Sequence, residues 1–213
     1  KNRVMAFLSG LGVTALLQSS TATTLLAMSF ANRGLLSLAS TLALVIGADI
    51  GTTLVAQVMS FDMSWLAPLL ISIGVFIYMG NAEKNIKRHA SRISIGLGLM
   101  LLALSLVREA TAPLQGSGLL PMMLTPLARD PLFAIMFAAL LTWILHSSLA
   151  TVLLFASFMS AGMFDLSLGI LFILGVNLGG ALTPLMMALK EGAQAKRVVL
   201  GNIFMRLCTL SLV

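Results

Sequence analysis

Charge is scarce in this sequence: Asp, Glu, Lys and Arg make up 9% of its 213 residues, against about a quarter in ordinary soluble domains. So little polar surface cannot cover a water-soluble body. Cysteine is scarcer still. The lone Cys208 excludes an internal disulfide and, inside an apolar run, reads as a packing residue. No His-Glu-x-x-His pattern and no cysteine cluster occurs, so the usual signatures of a metal enzyme are missing. No secretory signal opens the chain and Lys1 stands first, so the natural start is expected to lie upstream.

Apolar residues are plentiful, at 59% of the chain. Runs such as 65–80 and 93–107 approach the ~20 residues needed to cross a bilayer. Hydrocarbon is therefore the expected solvent, in a multi-pass protein of the cell membrane, most naturally a bacterial inner membrane. A net charge of +6 would suggest nucleic acid in a soluble protein. Here the Lys and Arg residues fall mostly in short gaps between apolar runs, which is how membrane orientation is encoded. Lipid replaces nucleic acid as the expected partner.

The sequence repeats itself at an offset of 128. Gln18-Ser-Ser-Thr-Ala-Thr-Thr24 lies over His146-Ser-Ser-Leu-Ala-Thr-Val152, and Gly47-Ala-Asp-Ile-Gly51 over Gly175-Val-Asn-Leu-Gly179, without a gap. Gly34 and Gly162 also coincide. Shared apolar composition does not align such polar and glycine positions at one offset. The second copy stops at Val213, opposite Asn85, and a terminal segment is expected beyond it.

Each Ser-Ser motif interrupts an apolar stretch, 4–31 in the first copy and 131–161 in the second. Each stretch reads either as one long span or as two short arms meeting at the motif. Charge separates these readings. With hairpins, Lys1, Arg3, Arg33, Lys84, Lys87, Arg88, Arg92, Lys190, Lys196 and Arg197 share the inside, against Arg108 and Arg129 outside; with spans the balance is lost. Hairpins also leave an odd number of crossings between the two motifs, so the second copy is inverted.

The expected fold is an all-α membrane protein of inverted-topology repeats, each with a re-entrant helical hairpin and a discontinuous transmembrane helix. The first repeat (1–107) holds hairpin 4–31, a helix 35–61 broken at Gly47–Gly51, and helices 64–80 and 93–107. An external linker covers 108–130. The inverted second repeat holds hairpin 131–161, a helix 165–189 broken at Gly175–Gly180, and helix 198–213.

Irregular backbone at membrane depth is tolerated only inside protein or beside a wet cavity. At each tip a second arm presents free N–H groups and the positive end of its dipole. Hydroxyls of Ser19, Ser20 and Thr21 add donors, which suits a small oxyanion. Free carbonyls of the upstream arm suit a hard cation such as sodium. One such cluster is better explained by interhelical hydrogen bonding; two at matching repeat positions favour a site.

Asp49 is the one acid well inside an apolar run, which makes it a candidate cation ligand or charge compensator, with Asn177 as its neutral repeat mate. The bland alternative is a protonated or paired structural Asp. His146, which takes the place of Gln18, balances between a tip ligand and an ordinary hydrogen-bonding group. Arg206 reads as a snorkelling side chain, and His89 as part of a basic loop.

At these motifs the chain resembles the sodium/phosphate cotransporter family, type II and its bacterial relatives, over nearly its whole length. The resemblance implies sodium-coupled movement of inorganic phosphate, with Gln18, Ser19, Ser20, Ser147 and Ser148 lining the anion site. It draws sodium ligands from Thr23, Asp49, Thr52, Thr151 and Asn177. The second copy departs from the family pattern: His146 replaces Gln, Leu149 replaces a hydroxyl residue, and Gly180-Ala181 replaces Thr-Thr. Phosphate, sodium and lipid are the expected partners, with a second copy of the chain as an allowed one. Competing readings are a sulfate or dicarboxylate transporter, an intramembrane serine hydrolase using His146, and a non-transporting sensor subunit. The hydrolase lacks an evident third orienting group.

Overall fold

The computed structural model of the chain describes residues 2–60, 65–80, 86–115, 122, 126, 127 and 129–211. Among these the helices are α1 (Arg3–Leu17), α2 (Ser20–Asn32), α3 (Leu38–Ser60), α4 (Leu66–Gly80), α5 (Ile86–Gln115), α6 (Pro131–Leu145), α7 (Ser148–Ser160), α8 (Leu166–Ala188) and α9 (Ala193–Ser211). Side-chain caps start several of them. The Asn2 carboxamide oxygen accepts from the Val4 N–H. Asp130 accepts from Leu132 and Phe133 ahead of Pro131, and Asp165 accepts from Leu168.

Segments 38–59, 86–107 and 166–188, within α3, α5 and α8, are long and apolar enough to cross a membrane. By contrast α1, α2, α6 and α7 have 15, 13, 15 and 13 residues, about 20 Å each at the helical rise. They fall short of a ~30 Å hydrocarbon core.

The repeat is visible in backbone geometry. Gln18 between α1 and α2, and His146 between α6 and α7, are the two non-glycine residues with positive φ among those described, at 52° and 54°. Gly34 and Gly162 take φ values of 73° and 71° just past α2 and α7. There the Leu35 N–H reaches back to the Phe30 carbonyl and the Met163 N–H to that of Phe158, closing each helix with a left-handed cap.

The expected breaks in α3 and α8 do not occur. Both helices run unbroken through Gly47–Gly51 and Gly175–Gly180. The glycines serve packing instead. A Cβ on Gly47 would run into the Phe7 carbonyl of α1, and one on Gly51 would come within 2.8 Å of the Leu11 carbonyl. In the second copy Gly175 meets Ile135 and Gly179 meets Ala139 of α6 in the same way. These partners also differ by 128. A Gly at i and i+4 on one helix face permits backbone-to-backbone approach, the usual solution where lipid supplies no hydrophobic drive.

Two further differences concern α5 and the basic segment. The helix extends from Ile86 to Gln115, so Lys87, Arg88, His89 and Arg92 are helical and not in a loop. Arg88 donates to the Tyr78 hydroxyl at 3.0 Å. Residues 81–85, with Lys84, and most of 116–128 lie outside the described residues.

The two copies share their interior. Met28, Ala31 and Val45 of the first are buried with Ala188, Ala195, Val198 and Val199 of the second. A second cluster joins Ala56, Met59, Ala67 and Leu101 to Leu149 and Leu153. Phe155 and Phe172 stack at 4.3 Å within the second copy.

Candidate functional site

Each motif turns the chain in three residues. Gln18 ends α1 in the left-handed region, which costs a residue with a Cβ about 1–2 kcal/mol. Ser19 follows in extended conformation, and its Oγ accepts from the Ala22 N–H at 3.1 Å, capping α2. In the second copy His146 takes the left-handed position and Ser147 caps α7 through the Ala150 N–H at 3.2 Å. Two strained residues at one repeat position are the kind of outlier that marks a functional site.

The N-termini of α2 and α7 meet. Ser20 Oγ and Ser148 Oγ, first residues of their helices, are 3.4 Å apart. Around them Gln18, Ser19, Ser20, Thr21, Thr52, His146, Ser147, Ser148 and Leu149 line a small polar cleft of about 20 Å³. Every anion-site residue expected from sequence is therefore in one place. The first N–H groups of α2 and α7 have no intrahelical acceptor, and both dipoles present their positive ends here. Two hydroxyls this close can donate to one shared oxygen of an anion.

The residues expected to hold sodium are spread over three places. Thr52 lines the cleft, with its hydroxyl on the Ala48 carbonyl at 3.2 Å. Thr23 and Thr151 are buried behind the turns, bonded to the carbonyls of Ser19 and Ser147 at 3.0 and 2.8 Å. Thr14 adds a hydroxyl to Thr23 at 2.9 Å. Asp49 and Asn177 meet elsewhere, at Arg206.

Arg206 does not snorkel. Its side chain is 8% exposed, and Nη2 forms a two-oxygen ion pair with Asp49 at 2.7 and 2.8 Å. Nη1 donates to the backbone carbonyl of Asn177. Nε donates to Asn202 Oδ1 at 3.1 Å, one helical turn earlier. Asp49 was the one acid and Arg206 the one base deep in apolar runs, so the cost of leaving either alone was the available signal. Asn202, four residues before Arg206 on the same helix face, was a second.

No hydrogen bond joins His146 to Ser147 among the described residues. The His146 Nδ1 lies 2.9 Å from the Ile144 carbonyl, while the Ser147 oxygen is occupied as a cap. A nucleophile–base pair has no support in that arrangement.

A model of the family described as Na+/Pi-cotransporter matches the chain twice, over residues 1–109 and 110–211. "Putative inorganic phosphate export protein YjbB" of Escherichia coli (strain K12) is 40% identical over 97% of this chain. Its namesake in Salmonella typhimurium is 39% identical over the same share. The chain spans 38% of the length of each. "Uncharacterized protein YqeW" of Bacillus subtilis is 26% identical over 98% of this chain and 67% of its own. No solved structure matches.

Proposed function

The chain belongs to the Na+/Pi-cotransporter family, and from that premise we propose that it forms the membrane core of a sodium-coupled transporter of inorganic phosphate. The observation that carries this is the meeting of two helix N-termini and two serine hydroxyls, 3.4 Å apart, from opposite copies of the repeat. Gln18, Ser19, Ser20, Thr21, His146, Ser147 and Ser148 hold the anion. Helix N-termini, backbone N–H groups and hydroxyls stabilise an oxyanion without a positive side chain in direct contact. Sodium takes oxygen donors from Thr23, Thr52 and Thr151, while the Asp49 carboxylate and the Asn177 carbonyl are engaged by Arg206. The ion gradients then set whether phosphate enters or leaves; the name of the relatives speaks of phosphate export.

In this proposal α1–α2 and α6–α7 are re-entrant hairpins and the second copy is inverted. Arms of 13 to 15 residues and the side bias of Lys and Arg support it. Inverted repeats with a site between them at mid-depth are common in secondary transporters.

The test is flux in vesicles reconstituted with the full-length protein. Phosphate should move on a sodium gradient, with little movement when potassium replaces sodium and weak competition by sulfate. Equal rates in both cations would refute sodium coupling, and equal competition by sulfate would refute the phosphate assignment. Cysteines placed at Lys1 and Arg33 of the same protein should label from the same face; labelling from opposite faces would defeat the hairpin arrangement.

A further inference from the structure

We propose that Arg206 is a tethered cation that holds Asp49 in the place a transported sodium would take, so that this one side chain limits the cation demand of the protein.

The argument begins with the repeat. Asp49 and Asn177 are equivalent positions of the two copies, and Arg206 touches both, the first through its carboxylate and the second through its backbone carbonyl. A guanidinium therefore sits on the seam where the copies are symmetric. Arg206 itself has no such symmetry: its counterpart at the 128 offset is Tyr78, which is engaged with Arg88 instead. One copy supplies a negative group and the other the positive group that neutralises it.

The oxygens around the guanidinium, two from a carboxylate and one from a main-chain carbonyl, are hard donors that would serve an alkali cation equally well. Arg206 satisfies them from within the chain. Asn202 holds it there through Nε, and Asn202 is itself 2% exposed.

The same guanidinium adjoins the anion cleft. Arg206 Nη1 and Ser148 Oγ both lie within 4.0 Å of the point where a Cβ on Gly180 would stand. Gly180 is the repeat counterpart of Thr52, which lines the cleft from the first copy. A side chain at position 180 would touch both Arg206 and Ser148. The charge that balances Asp49 thus lies near Ser148, one of the residues that line the cleft.

This inference deepens the sodium-coupled reading and rests on it for its role in transport, but its own test is thermodynamic. An intramembrane carboxylate left without Arg206 needs another cation. In Arg206→Gln, the melting temperature of the purified full-length protein should rise with sodium, balanced against potassium, by about 4 °C more than wild type at tenfold saturation. In Arg206→Gln with Asp49→Asn, where no charge remains, the extra response should disappear.

An Arg206→Gln protein whose sodium response equals that of wild type or of the double variant would overturn the proposal. So would an Arg206→Gln protein that fails to fold in sodium while the double variant folds. Failure of both to fold would show that the guanidinium's shape and not its charge is required, and would overturn it too. Sodium-independent phosphate flux in wild type would sink the coupled reading while leaving this inference intact if Arg206→Gln acquires the response.

Discussion

Replacing Ser20 and Ser148 together with alanine is expected to lower phosphate affinity by roughly 100-fold or more, with melting temperature and yield of the protein unchanged. A hydrogen bond to a charged group contributes about 1.5–3 kcal/mol, and ~1.4 kcal/mol is a factor of ten. Two hydroxyls converging on one oxyanion therefore account for two factors of ten. Stability is spared because neither serine caps its helix: Ser19 and Ser147 do that. The side-chain partner of Ser20 Oγ is Ser148 Oγ itself, and alanine is at least as good a helix residue. Ser19→Ala or Ser147→Ala, in contrast, should cost stability, about 1 kcal/mol each. Phosphate binding by calorimetry on the full-length protein separates the two pairs. A double variant that binds phosphate within a few-fold of wild type would mean the anion does not sit between the helix ends.

Leucine at Gly47 or at Gly175 is expected to abolish accumulation of folded protein, and alanine at either to lower its stability by about 1–3 kcal/mol, the usual cost of overpacking. The added carbon has nowhere to go, because the obstacle is the backbone of Phe7 or Ile135 and not a movable side chain. Separating α1 from α3, or α6 from α8, also pulls away the turn that each short helix carries, so the cleft opens with the packing. Gly12 is the control. It lies on the same α1 as Gly10 but meets nothing within 4 Å, so Gly12→Ala should be neutral or slightly stabilising. Melting curves of the three alanine variants decide this. Equal behaviour of Gly47→Ala and Gly12→Ala would contradict the packing role.

Those glycines show where the sequence was legible and where it was not. Gly-x-x-x-Gly spacing signals either a backbone break or a close helix contact, and both fit a repeated motif in an apolar run. What separates them is the partner helix, and Phe7 and Leu11 carry no mark in sequence that they would lie opposite Gly47 and Gly51. Ser19 and Ser147 stood out as tip residues but were read as anion donors, although capping is local and an extended serine ahead of a helix leaves its signature within four residues. The offset of 128 brought both tips to notice for the same reason, since each copy repeats a local turn.

Arg206 was misread because its environment is long-range. An arginine near the end of an apolar run resembles one that reaches for the membrane surface. Only the fold brings α9 against α3 and places Asp49, 157 positions away in the chain, within 2.7 Å. The three-way split of the expected sodium ligands has the same origin. Thr23 and Thr151 look like tip residues in sequence, yet one helical turn carries them behind the tip, where their hydroxyls bond to backbone.

The central claim is that the two helix ends form one anion site, and a cross-link tests it most directly. With Cys208 replaced and cysteines introduced as Ser20→Cys and Ser148→Cys in the full-length protein, the two sulfurs should stand close enough to form a disulfide under mild oxidation. The account predicts rapid cross-linking that phosphate slows and chloride does not, because an anion held by both helix ends keeps the sulfurs apart. Failure to cross-link, or cross-linking at the same rate with and without phosphate, would contradict it.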